Sequence, residues 1–152
     1  MKKIVFMGTP LFAVPILKSI FSKGYNIPLV YTQPPSKSNR GHKVSKSPIH
    51  KFCEENDLKV RTPENFINLD NEKNILEKLE ADIAIVVAYG QILPKGVLHV
   101  CKKGFINIHA SLLPKLRGAA PIQRSIMNLD NETGISLSLI HISEPTRLLS
   151  IA

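Results

Sequence analysis

The chain has 152 residues and a formal net charge of +8, and hydrophobic residues make up 43% of it. This length and composition suit one globular domain with a hydrophobic core and exclude an intrinsically disordered chain. No apolar run approaches the length of a membrane span, and the apolar stretch after the first lysines is too short for a signal peptide. We therefore expect a cytoplasmic protein with no membrane partner, in which Cys53 and Cys101 are reduced core residues.

The charges are segregated along the chain. Residues 1–53 contain nine bases and no acid, residues 54–82 contain nine acids and four bases, and residues 83–129 contain six bases and no acid. The segment 34–51 carries five of these bases and is rich in Pro, Ser and Gly, which predicts an exposed loop. A basic loop without aromatic residues favours contact with nucleic-acid phosphates over base stacking, with a merely solvated surface as the alternative.

Strand and helix patterns alternate along the chain. Strands are predicted over residues 2–8, 27–33, 58–62, 82–90 and 104–110. Helices are predicted over residues 9–24, 47–56, 71–81, 94–101 and 118–128. Thr9 and Ser47 suit N-caps, Pro48 suits a first helical turn, and Gly24 suits a C-cap. The alternation predicts an α/β fold with a doubly wound, mostly parallel, Rossmann-like sheet that binds ligands at the carboxyl ends of its strands.

Two polar residues, Asn107 and His109, lie near the end of the apolar run 104–110. Residues two apart share one face of a strand, so both side chains are predicted to point the same way where such folds bind ligands. An Asn amide can donate to a developing oxyanion, and a His can exchange a proton near neutral pH. The pair therefore suits attack on a carbonyl group, and the alternative is a pair of half-buried polar residues bonded to the backbone.

Other site classes lack their motifs. Ser111 does not lie in a G-x-S-x-G nucleophile motif, and the remaining histidines show no metal-ligand spacing. The segment GTPLFA, residues 8–13, has too few glycines for a dinucleotide-binding motif. We therefore expect neither a metal nor a dinucleotide.

The segment NIHASLLP, residues 107–114, followed by RGAAPIQ, residues 117–123, resembles the methionyl-tRNA formyltransferase family. The resemblance also covers FMGTPLFAVP, TQP, SPI and VVAYGQILP, and extends from residue 1 to about residue 136. The N-x-H and SLLP motifs belong to folate-dependent formyltransferases in general. RGAAPIQR is narrower and favours the tRNA enzymes.

This resemblance implies transfer of a formyl group from 10-formyltetrahydrofolate to the amino group of methionyl initiator tRNA, a step of translation initiation. It implies that Asn107 binds the oxygen of the tetrahedral intermediate and that His109 stabilises the intermediate or moves the amine proton. It further implies that Ser111, Leu112, Leu113 and Pro114 line the folate site, and that the backbone near Val87, Ala88, Tyr89 and Gly90 hydrogen-bonds the pterin. We expect the protein to be a monomer. The residues that would hold the tRNA are Arg40, Lys43 and Lys46.

The resemblance ends near residue 136. In the family, an Asp that partners the catalytic His lies twelve residues after the Thr of a TG motif, and here that position is Pro145. Residues 137–147 match, in a single reading frame, the translation of a common sequencing adapter. We therefore expect residues 1–136 to be an incomplete formyltransferase catalytic domain, residues 137–152 to be a non-native tail, and this chain alone to transfer formyl groups poorly.

Two other functions stay open at this point. One is a glycinamide ribonucleotide or nucleotide-sugar formyltransferase, and the other is a non-catalytic RNA- or folate-binding module.

Two expectations concern the structure rather than the function. The Leu113–Pro114 peptide bond is predicted to be cis, and residues 137–142 are predicted to occupy a strand position because they alternate, with residues 143–152 loosely held.

Overall fold

The computed structural model describes residues 1–37, 44–65 and 69–140. Its strands are β1 Lys3–Gly8, β2 Asn26–Tyr31, β3 Ser36–Lys37, β4 Val44–Ser45, β5 Val60–Arg61, β6 Ile83–Val87, β7 Phe105–His109 and β8 Ser136–Leu139. Its α-helices are α1 Val14–Ser22, α2 Pro48–Glu55, α3 Leu69–Leu79 and α4 Pro121–Met127, and a 3-10 helix, Leu11–Ala13, precedes α1. No helix of the described residues is long and apolar enough to span a bilayer.

Within the described residues, six strands form one sheet in the order β5-β2-β1-β6-β7-β8. Neighbouring strands are parallel, except that β7 and β8 are antiparallel. The chain moves outward from β1 through β2 to β5 and then returns to the other side of β1 with β6, so the connections diverge between β1 and β6. This divergence is the switch point at which doubly wound sheets bind ligands. The predicted fold class is confirmed.

The sheet is covered on both faces because the side chains of a strand alternate. On β1, Val5 and Met7 face one core, which also contains Leu76 of α3 and Val97. Phe6 lies on the opposite face in a second core, to which α1 contributes Leu17 and α2 contributes Ile49 and Cys53. Burial on both faces explains why β1 and β6 are nearly continuous apolar runs.

The predicted helix caps agree with the structure at some helix ends and not at others. Ser47 caps α2 as predicted, since its side chain accepts a hydrogen bond of 3.0 Å from the backbone N–H of His50. The prediction of Thr9 as an N-cap is wrong, because the chain first forms the 3-10 helix and α1 begins at Val14. Gly24 ends this region in the left-handed conformation with φ +74°, as expected of a residue just after a helix.

The predicted helix over residues 94–101 is wrong. This segment is a series of turns, held by hydrogen bonds from the backbone N–H of Val97 to the carbonyl of Pro94 and from that of Val100 to that of Val97. Gly96 disfavours a regular helix, and burial of Val97 and Cys101 against the first core holds the turns in place. The apolar spacing predicted the buried face correctly and the backbone type incorrectly.

The last described strand, β8, lies at the sheet edge. It pairs with β7 so that Ser136 lies opposite His109 and Leu139 lies opposite Ile106. The prediction that residues 137–142 take a strand position is confirmed for residues 137–139. Residues 141–152 lie outside the described residues, as does the expectation that residues 143–152 are loosely held.

Candidate active site

A cavity of about 770 Å³ opens at the carboxyl ends of β1, β6 and β7. This volume lies within the usual range for small-molecule sites in proteins, roughly 300–1,000 Å³. Its lining residues come from four segments of the chain and one further residue: Pro10 and Phe12; Val86 and residues 88–92; residues 107–110; residues 117–123; and Ile140. The cavity therefore lies where the topology predicts a ligand site.

Asn107 and His109 both line this cavity, from one face of β7. Their side chains are 2% and 4% exposed, so each is shielded from bulk water. The one residue between them, Ile108, alternates with them and packs against the second core. The predicted shared strand face is confirmed.

The imidazole of His109 is held by the loop that follows β7. Its Nε2 lies 2.8 Å from the carbonyl oxygen of Leu116. A carbonyl oxygen can only accept, so Nε2 carries the proton that it donates. Nδ1 is then the ring nitrogen that can exchange a proton with a ligand.

The loop that contains Ser111 to Pro114 is tied down without lining the cavity. Ser136 Oγ donates to the carbonyl of Ser111 at 2.7 Å and accepts from the backbone N–H of Leu113 at 3.0 Å. Ser111 Oγ donates to the carbonyl of Lys115 at 2.7 Å, and the side chain of Leu112 lies against Gly134. The Leu113–Pro114 bond is cis, as predicted. None of the residues 111–114 is among the described lining residues of the cavity.

The segment that follows, residues 117–123, forms the wall of the cavity on this side. In the sequence it was identified as a motif, and no role in the site was predicted for it. The signal that points to it is backbone geometry rather than side-chain chemistry, since Gly118 has φ +84° and Ala120 has φ +56°. Glycine adopts such a conformation freely, whereas at Ala120 it costs strain, and strained backbone of this kind clusters at ligand sites.

The wall that follows β6 is built from residues 88–90 with Val86. Ala88, Tyr89 and Gly90 line the cavity as expected, whereas Val87 is fully buried in the second core. The expectation for Val87 concerns its backbone and stays a prediction, because alternation along β6 turns only its side chain to the opposite face. Val86 takes the position in the cavity.

Side chains from neighbouring strands brace this wall. Thr9 Oγ1 donates to the carbonyl of Tyr89 at 2.8 Å and accepts from the backbone N–H of Gln33 at 3.3 Å. Gly90 has φ +83°, and a Cβ there would collide with the side chain of Gln33. Gln91 Nε2 donates to the carbonyl of Pro63 at 2.8 Å. The ends of β1, β2 and β6 are thereby joined beside the cavity.

Burial keeps the cysteine thiols and the tyrosine phenols of the core neutral. Burial raises the pKa of the Cys53 thiol to about 12 and that of the Cys101 thiol to about 11. Both cysteines are unpaired and buried, as predicted, and neither thiol is a nucleophile at neutral pH. Burial also raises the pKa of the Tyr89 phenol, whose hydroxyl donates to Gln91 Oε1 at 3.3 Å. No group of three His, Cys, Asp or Glu side chains in the described ranges is arranged to hold a metal ion.

The structure describes the basic loop only in part. Arg40 and Lys43 lie outside the described residues. Lys46 is exposed and forms an ion pair with Glu54 of α2, and this pairing lowers the pKa of the Glu54 carboxyl. Within the loop, β3 and β4 form a two-residue antiparallel ladder, in which Ser36 lies opposite Ser45, that our sequence analysis did not predict.

A family model and individual curated relatives both relate this chain to formyltransferases. The model of the formyl transferase family matches residues 1–143. A methionyl-tRNA formyltransferase from Pelagibacter ubique is 63% identical over 139 residues, which are 91% of this chain and 45% of the relative. One from Paramagnetospirillum magneticum is 50% identical over 135 residues, 89% of this chain and 44% of the relative. The chain thus spans less than half the length of these curated relatives.

Solved structures agree on the fold. A phosphoribosylglycinamide formyltransferase from Bacillus halodurans superposes with a TM-score of 0.69 at 17% identity, covering 91% of this chain and 72% of that structure. One from Anaplasma phagocytophilum gives 0.72 at 16% identity, covering 91% of this chain and 64% of that structure. At these identities the likeness describes the fold alone.

Proposed function

The chain belongs to the formyl transferase family, and we propose that it contributes the catalytic domain of an enzyme that formylates methionyl initiator tRNA. The formyl donor is 10-formyltetrahydrofolate. The names of the curated relatives support this acceptor, since the first two are methionyl-tRNA formyltransferases. The reaction belongs to translation initiation, which takes place in the cytoplasm.

The observation that carries the proposal is the pair Asn107 and His109, buried together at the edge of a cavity of ligand size. Formyl transfer to an amine needs a donor for the oxygen of the attacked carbonyl and a group that accepts the amine proton. Asn107 has an amide of the first kind, and His109 has a ring nitrogen of the second kind. Their shared strand face allows both to act on one carbonyl carbon.

The reaction then proceeds in two steps. The amine nitrogen of the methionyl group attacks the formyl carbon, a C–N bond forms, and the carbonyl oxygen becomes an oxyanion that accepts a hydrogen bond from the Asn107 amide. His109 accepts the proton that the amine nitrogen loses, at Nδ1, because Nε2 is already bonded to Leu116. The bond from the formyl carbon to N10 of the folate breaks, and the departing nitrogen takes up a proton from His109.

The two substrates are assigned to different surfaces. The pterin lies against the backbone of Ala88, Tyr89 and Gly90, a wall braced by Thr9 and Gln33. Residues 111–114 support this site from behind, since their contacts are with Ser136 and Lys115 rather than with the cavity. The acceptor end of the tRNA is held by the basic loop, for which Arg40, Lys43 and Lys46 supply the charges.

We also propose that residues 1–136 are the native part of the catalytic domain and that residues 137–152 are not native. The support is the match of eleven consecutive residues, 137–147, to a translated adapter in one frame. An alternating apolar pattern pairs with a sheet edge whatever its origin, which accounts for β8 and for a family match that extends to residue 143. Sequencing the source DNA across codon 136 tests this, and an uninterrupted native reading frame in the source would refute it.

The function is tested with a full-length enzyme in which residues 1–136 replace the matching part of the Pelagibacter ubique relative. We expect transfer to charged initiator tRNA and none to glycinamide ribonucleotide or an amino-sugar nucleotide. Asn107→Ala should lower kcat by about 10²–10³ and His109→Ala by roughly 10²–10⁴. Controls are Asn128→Ala and His99→Ala, both exposed and outside the cavity lining.

Three results would contradict the proposal. A preference for a small amine acceptor would favour the glycinamide ribonucleotide or nucleotide-sugar enzymes. Binding of folate or tRNA with no transfer in the unaltered fusion would favour a non-catalytic module. Equal effects of the cavity substitutions and their controls would remove Asn107 and His109 from the chemistry.

A further inference from the structure

The cavity beside Asn107 and His109 has an unusual charge composition. Among the described residues that line it, Arg117 carries the one permanent charge, and none of the others is acidic. Arg117 is exposed, and it forms no ion pair within the described part of the chain. The segment around it, residues 83–129, contains no acid at all. A ligand anion would therefore meet a cation there with no competing carboxylate.

Several other cations of the described chain have acidic partners. Arg61 donates to both carboxylate oxygens of Glu72, at 3.0 and 2.5 Å. Lys46 pairs with Glu54, and Lys73 lies 3.6 Å from Glu77. Arg117 differs from these because it faces a cavity, and no acid within the described residues forms an ion pair with it.

The backbone next to Arg117 is held in place by a hydrogen bond to His109. The preceding residue, Leu116, bonds to His109 Nε2 and has φ +54°, a conformation that a non-glycine residue adopts at some cost. Gly118 follows with φ +84°. The position of Arg117 is thereby coupled to that of His109, as a residue that orients a substrate requires.

We propose that Arg117 binds the anionic end of a substrate whose reacting group lies at Asn107 and His109, an inference that rests on the proposed function. The ligand group is a carboxylate or a phosphate, because the planar guanidinium donates two parallel hydrogen bonds to either. Its two sources are the glutamate of the folate and the terminal phosphates of the tRNA acceptor end. Arg117 is thus a determinant of substrate affinity and not of the chemical step.

The test uses this chain and isothermal titration calorimetry. The probes are 5-formyltetrahydrofolate, the matched 5-formyltetrahydropteroate that lacks the glutamate, and an acceptor-stem minihelix RNA. The variants are Arg117→Gln, Arg117→Lys, and the control Arg124→Gln, which removes the same charge from α4 outside the cavity lining. Loss of one bidentate, charge-assisted contact is expected to raise Kd roughly tenfold, with Lys in between.

A roughly tenfold rise in Kd with Arg117→Gln for the folate, and none for the pteroate, supports a carboxylate ligand. A rise for the minihelix alone, larger than that of Arg124→Gln, supports a phosphate ligand. An equal loss for folate and pteroate, or no loss beyond that of the control, overturns the assignment of Arg117 and leaves the proposed function standing. Failure of the unaltered chain to bind any of the three probes overturns both.

Discussion

The two ends of the sheet are packed differently. Around β1, β2 and β6 the largest apolar side chains have no exposed surface, among them Phe6, Met7 and Val87. At the other end, α4 and β8 with their connection expose large apolar side chains: Ile122, Ile126, Met127, Leu129, Ile135, Leu137 and Leu139. Large apolar patches on a protein surface often mark faces that interact with another surface.

The site lies on the boundary between these two ends. β6 and the end of β1 supply one wall of the cavity, and they are braced by Thr9 and Gln33. β7 supplies Asn107 and His109, and its outer neighbour is the exposed edge strand β8. The cavity therefore has a firmly packed wall on the side of β1 and β6 and, within the described residues, an exposed edge strand behind Asn107 and His109.

Substitutions in the two ends should differ most in stability. Phe6→Ala removes a fully buried ring from the second core, and a loss of about 3–5 kcal/mol in the free energy of unfolding is expected. Ile126→Ala truncates a side chain that is 69% exposed, and its effect should stay within about 0.5 kcal/mol. Urea unfolding followed by circular dichroism measures both. Similar losses would show that the α4 face is buried in solution.

The rate of formyl transfer should depend directly on the exposed end of the sheet, where β7 carries His109. Within the described residues His109 has a backbone carbonyl as its partner and forms no ion pair with an acid. We therefore expect kcat/KM of the chain alone to be lower than that of the full-length fusion by about 10²-fold or more. Steady-state formyl transfer measures the ratio. Comparable values would mean that another acid assists His109.

The hydrogen bonds of the Thr9 hydroxyl allow a sharper test of the well-packed end of the sheet, around β1, β2 and β6. Thr9→Val keeps the shape of the side chain and leaves the Tyr89 carbonyl and the Gln33 N–H without their partner, which should cost about 1–3 kcal/mol. Folate affinity should fall with it, because the pterin wall is released. Thr9→Ser restores the hydroxyl and should recover most of both. Recovery of stability without recovery of affinity would separate the brace from the ligand site.

The smallest expected effect is the pH dependence of Asp82, at the start of β6. Its carboxylate accepts a 2.8 Å hydrogen bond from the backbone N–H of Lys3, and this bond lowers its pKa from 3.8. The charged form therefore stabilises the fold above the unfolded pKa, and this contribution is lost as pH falls through the lowered folded pKa. Asp82→Asn should lower Tm at neutral pH by a margin that closes below about pH 4.

Differential scanning calorimetry across that range measures the margin, with Asp130→Asn as an exposed control. A margin for Asp82→Asn that is as large in acid as at neutral pH would assign the effect to packing instead. Because Lys3 opens β1 and Asp82 precedes β6, the result would also report how firmly the two central strands are joined.

Much of the fold could be predicted because its signals are local. The apolar runs of β1 and β6, the Ser47 cap of α2 and the spacing of Asn107 and His109 depend on residues close together in the chain. The turns at residues 94–101 could not be predicted. Their apolar spacing matches a helix, and burial against the first core is compatible with turns as well.

Periodicity and motifs are properties of the chain, and they were enough to predict the sheet class, the shared face of Asn107 and His109, and the family. Which residues face the cavity followed instead from packing between distant segments. That packing selected Val86 over Val87 through the pleat of β6, and residues 117–123 over residues 111–114 through the path of a loop. Which side of a strand or loop meets a ligand depends on contacts between segments far apart in the chain, such as that of Thr9 with Tyr89.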